Sequence, residues 1–175
     1  MKVKNSCKKR KMKYFMAVLG AAFLLAIIIE LILPLRFYGY VKKYCQQYGV
    51  KKSTALAVIW TESKFDVDAV SSAGACGLMQ IMPSTAEWLC AELNIEYDKA
   101  HLFDAEYNIR LGVYYLSYLQ KSFKGDYVIA AYNAGEGNVR LWLESGGEIR
   151  FAETENYVKK VKLLSRLYAV RVGKD

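Results

Sequence analysis

Histidine is nearly missing from this chain: His101 stands alone among 175 residues. The four cysteines, Cys7, Cys45, Cys76 and Cys90, never form a Cys-x-x-Cys pair. These two scarcities leave too few ligands at metal spacing for a zinc site of His and Cys, and no metal or other cofactor is expected. Proline is scarce as well, with Pro34 and Pro83 set against fourteen Tyr and seven Phe. That balance excludes a Pro-rich disordered chain and suits a compact, mostly helical body. Internal repeats and low-complexity stretches are missing too. With 54% hydrophobic residues the chain holds enough apolar surface for one core and little more than one domain.

Acid is absent from residues 1–13, where Lys2, Lys4, Lys8, Lys9, Arg10, Lys11 and Lys13 supply seven positive charges. The net charge is +8, so everything from Tyr14 onward carries only +1. The basic character belongs to the N-terminal arm and gives no support to a nucleic-acid-binding face on the body.

Charge is absent again from Tyr14 to Ile29, and after Glu30 the apolar run continues to Leu35. As a helix rising ~1.5 Å per residue, residues 14–35 span about 33 Å, enough to cross a bilayer. Glu30 lies near the distal end, where its carboxylate reaches the interface at modest cost. No small-x-small cleavage site follows the run, which favours an uncleaved anchor over a signal peptide. The seven cations of the arm outnumber Arg36, Lys42 and Lys43 beyond the segment. The arm is therefore expected in the cytoplasm and the body on the outer side of the cytoplasmic membrane. The expected organisation is a basic arm over 1–13, a single-pass anchor over 14–35 and one domain over 36–175. Three body cysteines permit at most one internal disulfide, and buried free thiols are an equal alternative.

Within the body, residues 36–50 read as an amphipathic helix leaving the membrane. Ser53 is read as the N-cap of a helix over about 54–64, whose segment Ala55-Leu-Ala-Val-Ile-Trp60 is apolar on every side and so buried. Residues 65–77 read as loop and 78–82 as a short extended run. Pro83 suits the first position of a helix to about Leu93. Asp104 caps a long helix to about Lys121 with Ile109, Val113, Leu116 and Leu119 on its core side. Asp126 is read as the cap of the next, and helices over about 137–144 and 154–171 complete a mostly α domain with at most a small β element.

Glu62 shares a helix face with Ala55, Val58 and Ile59 and lies close to that helix's C-terminus. Burial and the backbone dipole both raise its pKa, which keeps a proton available for a leaving oxygen near neutral pH. The bland alternative is a solvated surface glutamate. Gln80 and Asn133 supply planar amides, each able to donate to and accept from a polar ligand. Met79, Met82 and Tyr132 supply apolar faces, although core packing is expected for one of the two methionines. Gly74, Gly77, Gly135 and Gly137 permit tight turns or close approach to a ligand.

Four stretches occur in a telling order: Ala57-Val-Ile-Trp-Thr-Glu-Ser63, Ser71-Ser-Ala-Gly-Ala-Cys-Gly-Leu-Met-Gln-Ile-Met-Pro83, Ala130-Ala-Tyr-Asn-Ala-Gly-Glu-Gly137 and Glu153-Thr-Glu-Asn-Tyr-Val158. Over roughly residues 40–170 the chain resembles the catalytic domain of the soluble-type lytic transglycosylases, relatives of goose-type lysozyme. The resemblance implies a single lysozyme-like helical domain, preceded here by one transmembrane helix, acting on peptidoglycan glycan strands. It makes Glu62 the catalytic acid/base, followed by Ser63. Gly77-Leu-Met-Gln80 would line the sugar cleft, with Gln80 bonding the substrate and Ser71 near the reacting sugar. Tyr132 matches a tyrosine whose hydroxyl holds the catalytic glutamate, with Asn133 beside it. Glu153 matches an acid near the groove, and Tyr157 follows one turn later. Any partner among cell-wall or envelope-assembly proteins goes unnamed.

Ordinary glycosidases flank the bond with two acids. The loop Ser71–Gly77 holds none, so a second acid is missing where goose-type lysozymes carry aspartates. The expected reaction is cleavage of the MurNAc–GlcNAc β-1,4 bond with closure of a 1,6-anhydro end. The competing readings are a lysozyme-like hydrolase using Asp66 or Asp68, and an inactive membrane-anchored glycan-binding scaffold. Cys76 and Cys90 have no functional account.

Overall fold

The computed structural model describes residues 2–173, without the side chains of residues 2–11 and 13. The side chains of the basic arm, save Met12, and Cys7 thus lie outside the described residues. The chain divides into two compact units, 1–35 and 36–175.

The first unit is one helix, α1 (Lys2–Ile32). Within it, Tyr14–Ile32 is long and apolar enough to cross a membrane, and none of it is buried. The helix stops two residues before Pro34, whose ring disfavours helical geometry in the residue before it. Past that end the Leu35 N–H donates to the Glu30 carboxylate at 3.2 Å, so the lone acid of the run caps a freed backbone group.

The second unit is helical throughout: α2 (Tyr38–Tyr48), α3 (Lys52–Ser63), α4 (Pro83–Leu93), a 3-10 turn (Lys99–Phe103), α5 (Ala105–Ser122), α6 (Asp126–Ala134), α7 (Glu136–Glu144) and α8 (Ala152–Val172). Among the described residues the only β features are two isolated antiparallel bridges, Val70 with Cys76 and Cys76 with Ile81.

Helix α3 is the centre of the body. Ala55 to Ile59 are fully buried, as an all-round apolar segment requires. Its main partner is α8. Ser165 approaches Ser53 and Thr54, each at 3.4 Å, at one end. At the other end Tyr157 meets Glu62. The pairings step in opposite directions, so α3 and α8 run antiparallel. This explains why Ser53 is not the cap expected of it. Lys51 is the extended residue before the helix, while Ser53 sits inside the first turn, buried against α8.

Helix α5 is capped as expected, the Asp104 carboxylate accepting from the Tyr107 N–H at 2.8 Å. It packs on α2, where the Lys43 ammonium and the Tyr44 hydroxyl both donate to the Glu106 carboxylate. Asp126 is not a cap. Gly125 precedes α6 in a backbone conformation closed to other residues, φ 57 and ψ −128. The Asp126 carboxylate instead meets Lys162 of α8 at 2.7 Å. Pro83 does open α4. Cys45, Cys76 and Cys90 are all buried, and no disulfide joins any two of them.

Candidate active site

Glu62 sits in the last turn of α3, half-buried. Beyond it the chain turns sharply, with Lys64 and Phe65 both left-handed at φ 52 and 65. Left-handed geometry costs a side-chain-bearing residue roughly 1–2 kcal/mol. Full burial of the Phe65 ring, about 1.5–3 kcal/mol, offsets this. The turn directs the chain into the loop that builds the site.

That loop folds back at 77–80 into a tight turn between the bridge residues Cys76 and Ile81, not the extended run expected of 78–82. Two left-handed residues make it, Gly77 at φ 73 and Gln80 at φ 47. Gly77 is needed for space as well, because a Cβ there would run into the Leu102 carbonyl oxygen and the Asn108 side-chain amide. Asn108 is wholly buried and holds the turn from inside. Its oxygen accepts from the Met79 N–H at 2.8 Å, and its NH₂ donates to the carbonyls of Cys76 and Leu102 at 3.0 and 2.8 Å. Sequence reasoning missed this residue. The available signal was a polar side chain one turn past the Asp104 cap, next to Ile109 on the core side of α5.

Ser63 bonds the Leu78 carbonyl at 2.8 Å and so ties the end of α3 to the turn. The Ser71 hydroxyl accepts from the Ala75 N–H at 3.0 Å and orders the loop. Gln80 spends its NH₂ on the carbonyls of Ala69 and Gly77 at 3.0 and 2.9 Å, so its side chain is tied to the backbone of its own loop. Met79 is fully buried and Met82 is 38% exposed, so Met79 is the core methionine of the pair.

Two tyrosines surround Glu62, in roles different from those expected. The hydroxyl that reaches it belongs to Tyr157, which donates to Oε1 at 2.5 Å. The Tyr132 hydroxyl donates instead to the Met79 carbonyl at 2.8 Å. The charge of Glu62 nonetheless holds the Tyr132 phenol in its neutral form, after burial, which is the larger cause. Asn133 accepts from the Thr154 hydroxyl at 2.7 Å, joining α6 to the start of α8. Glu153 is exposed one turn before Tyr157.

Burial is the dominant influence on Glu62 and pushes its carboxyl from 4.5 up to about 7, against the smaller opposing pull of the Tyr157 hydroxyl and the Lys160 charge. No carboxylate figures among the groups that act on it. Asp66 and Asp68 are both exposed, and the Asp66 carboxylate accepts from the Asp68 N–H at 3.1 Å. Among the described residues no group of three or more His, Cys, Asp or Glu is placed to hold a metal ion.

The Tyr157 bond favours the ionised form of Glu62. In Tyr157→Phe the Glu62 pKa should therefore rise further, moving the alkaline limb of the pH–rate profile upward. A lost hydrogen bond to a charged group costs roughly 1.5–3 kcal/mol, which corresponds to about a 10–100-fold fall in turnover. An unmoved alkaline limb would show that Tyr157 does not set the proton affinity of Glu62.

A lysozyme-like helical body with a half-buried, raised-pKa glutamate defines the class of protein, and comparison with known proteins places the chain within it. Residues 39–154 match the family model described as the transglycosylase SLT domain, and the chain belongs to that family. It is 36% identical over 154 residues to a soluble lytic murein transglycosylase of Escherichia coli, an alignment covering 80% of this chain and 24% of the relative. It is 40% identical over 116 residues to the membrane-bound lytic murein transglycosylase C of Sodalis glossinidius, covering 59% of this chain and 32% of that one. The crystal structure of the 70 kDa soluble lytic transglycosylase of Escherichia coli superposes with a TM-score of 0.78 at 35% identity, over 83% of this chain and 26% of that one. An inactive Glu-to-Gln mutant of the lytic transglycosylase Slt from Pseudomonas aeruginosa gives the same TM-score at 32% identity, over 82% and 25%. The chain thus spans about a quarter of the length of the first of these relatives.

Proposed function

We propose that this chain is a membrane-anchored lytic transglycosylase that cleaves the MurNAc–GlcNAc β-1,4 bond of peptidoglycan and leaves 1,6-anhydro ends, with Glu62 as its single general acid/base. The observation that carries the reading is a half-buried Glu62 carboxyl raised to about 7, held by Tyr157 and acted on by no second carboxylate. Family membership and the lytic activity named for the relatives support it.

The chemistry needs only groups present on the enzyme and the substrate. Protonated Glu62 gives its proton to the bridging oxygen as the bond from C1 to that oxygen breaks. The N-acetyl oxygen of the muramic acid bonds to C1 and carries the positive charge onto the acetamido group. Ionised Glu62 then takes the proton of the C6 hydroxyl, and O6 bonds to C1 as the acetamido oxygen leaves. Glu62 ends protonated, the acetamido group neutral, and no water is consumed. The C6 hydroxyl is tethered to the reacting ring, so its effective concentration is high. Half-buried Gln80, exposed Met82 and exposed Glu153 are the substrate-facing groups in this reading, while Ser63, Ser71, Gly77, Met79 and Asn133 shape the cleft from behind.

Mass spectrometry of wall digested by the full chain should show muropeptides ending in 1,6-anhydro-N-acetylmuramic acid, one water lighter than hydrolytic ends and resistant to borohydride. Finding only reducible, hydrated ends would establish a lysozyme-like hydrolase.

The anchor reading rests on the Tyr14–Ile32 helix and the seven-cation arm before it. The chain should stay with the membrane fraction after a carbonate wash. Protease added to wall-stripped cells should digest the body. Release of a soluble form, or full protection from protease, would overturn the anchor or its orientation.

A further inference from the structure

Close to the candidate catalytic groups, α4, α5 and the start of α7 enclose a pocket of about 390 Å³ lined by Ser84, Thr85, Trp88, Tyr115, Tyr118 and Glu136. The cleavage chemistry uses none of these side chains. Trp88 meets Tyr118 edge to face, with ring centroids 4.8 Å apart at 76°, and meets Tyr115 at 6.2 Å and 84°. Tyr115 and Tyr118 lie nearly parallel, 16° apart. The three rings therefore form a corner. A pyranose needs one open, flat ring face, whereas a small cation needs only part of a π face.

Glu136 supplies the only full charge among the lining residues. Arg140 meets its Oε2 at 3.2 Å, and the Arg140 guanidinium lies over the Phe123 ring, 5.2 Å from its centroid. Oε1 lies 3.5 Å from the Tyr118 hydroxyl, a long contact that leaves it able to accept a stronger donor. Neither the Tyr115 hydroxyl nor the Trp88 indole N–H has a hydrogen-bond partner among the described residues. Burial and then the Glu136 charge push the Tyr115 phenol up to about 12, so it stays neutral. Crossed aromatic faces, one carboxylate and hydroxyls at the rim make a receptor for an alkylammonium group.

We propose that this pocket binds the side-chain ammonium of the diamino acid in a peptide stem attached to the glycan being cleaved. The proposal rests on the peptidoglycan reading above and names the part of that substrate that the cleft chemistry leaves unassigned. Position supports it. Tyr115 stands 5.3 Å from Tyr132, ring to ring, and Tyr132 is within range of the Glu62 charge. An extended stem gains ~3.3–3.6 Å per residue, so its third residue reaches about 10 Å from the sugar, a distance on the scale of two packed rings.

The test uses the full chain in detergent micelles. Its substrates are peptidoglycan with free stem amines and the same preparation after N-acetylation. Acetylation should lower kcat/KM of the parent about tenfold. In Glu136→Gln and in Trp88→Leu the ratio between the two walls should fall toward one. Equal rates of the parent on both walls would overturn the proposal. So would variants that slow both walls in equal proportion while keeping the parent's ratio, which would make the pocket a sugar platform.

Calorimetric titration with a stem tripeptide, free or N-acetylated at its side-chain amine, reads the site without cleavage. Selective binding of the free amine, lost in Glu136→Gln, supports the site even if the parent releases nothing from either wall, an outcome that would discard the lytic reading alone. Equal binding of the two peptides sinks the ammonium site whatever the activity.

Discussion

Glu62→Gln should lower wall-lytic turnover by at least about 10²–10⁴-fold, because the amide keeps the shape and the Tyr157 contact but has no proton to transfer. Glycan binding should survive, as measured by co-sedimentation with insoluble wall. Activity within tenfold of the parent would remove Glu62 from the chemistry. The same substitution should stabilise the fold in mildly alkaline buffer. An unfolded glutamate ionises near 4.5, whereas Glu62 in the folded chain holds its proton up to about 7. Between those values the folded state binds more protons, so the stability Glu62 contributes is complete below about 4.5 and is lost as pH rises through 7. Above 7 an ionised carboxylate remains in a half-buried site. Its removal should raise unfolding free energy by at most about 3 kcal/mol, with solvent access reducing that figure. Denaturant melts of parent and variant at pH 5 and pH 8 should therefore differ more at pH 8; a gap that grows toward acid would contradict the raised pKa.

Gly77→Ala carries the largest expected cost to the fold. Its Cβ would meet the Leu102 carbonyl and the Asn108 amide while the backbone stays at φ 73. Overpacking costs roughly 1–3 kcal/mol, and left-handed geometry adds about 1–2 for a non-glycine residue. The neighbours cannot yield cheaply, because Leu102 presents backbone and Asn108 is fixed by three hydrogen bonds. A drop of about 3 kcal/mol or more in denaturant unfolding, with loss of activity, is the expected result. A variant within 0.5 kcal/mol of the parent would show that the 77–80 turn is far softer than its contacts imply.

Much of this arrangement is legible in the sequence itself. The all-round apolar character of Ala55–Trp60 marked α3 as buried, which in turn made Glu62 an unusual acid. Asp104 and Pro83 marked helix starts because their effects are local. Errors fell where tertiary contacts decide. Ser53 looked like a cap until α8 covered it. Asp126 looked like a cap, but Gly125 alone accepts the backbone angles at that position. The turn at 77–80 looked extended because its fold depends on Asn108, thirty residues later. The different roles of Tyr132 and Tyr157 have the same origin: the family resemblance implies Tyr132 as the holder of Glu62 and sets Tyr157 beside Glu153, but the α3–α8 register brings the Tyr157 hydroxyl to the acid. The Trp88 corner was invisible for this reason too, since its rings come from two different helices and its carboxylate from a third.

The hydrogen bond between Tyr157 and Glu62 joins residues 95 positions apart, the one on the last helix of the body and the other on its second. Synthesis delivers the acid early and its partner late. A chain cut short after α7 still carries Glu62, the 71–83 loop and Asn133, yet lacks the helix that covers α3. A fragment that ends before residue 152 therefore keeps the acid but loses both the Tyr157 hydroxyl that holds it and the helix packed against α3.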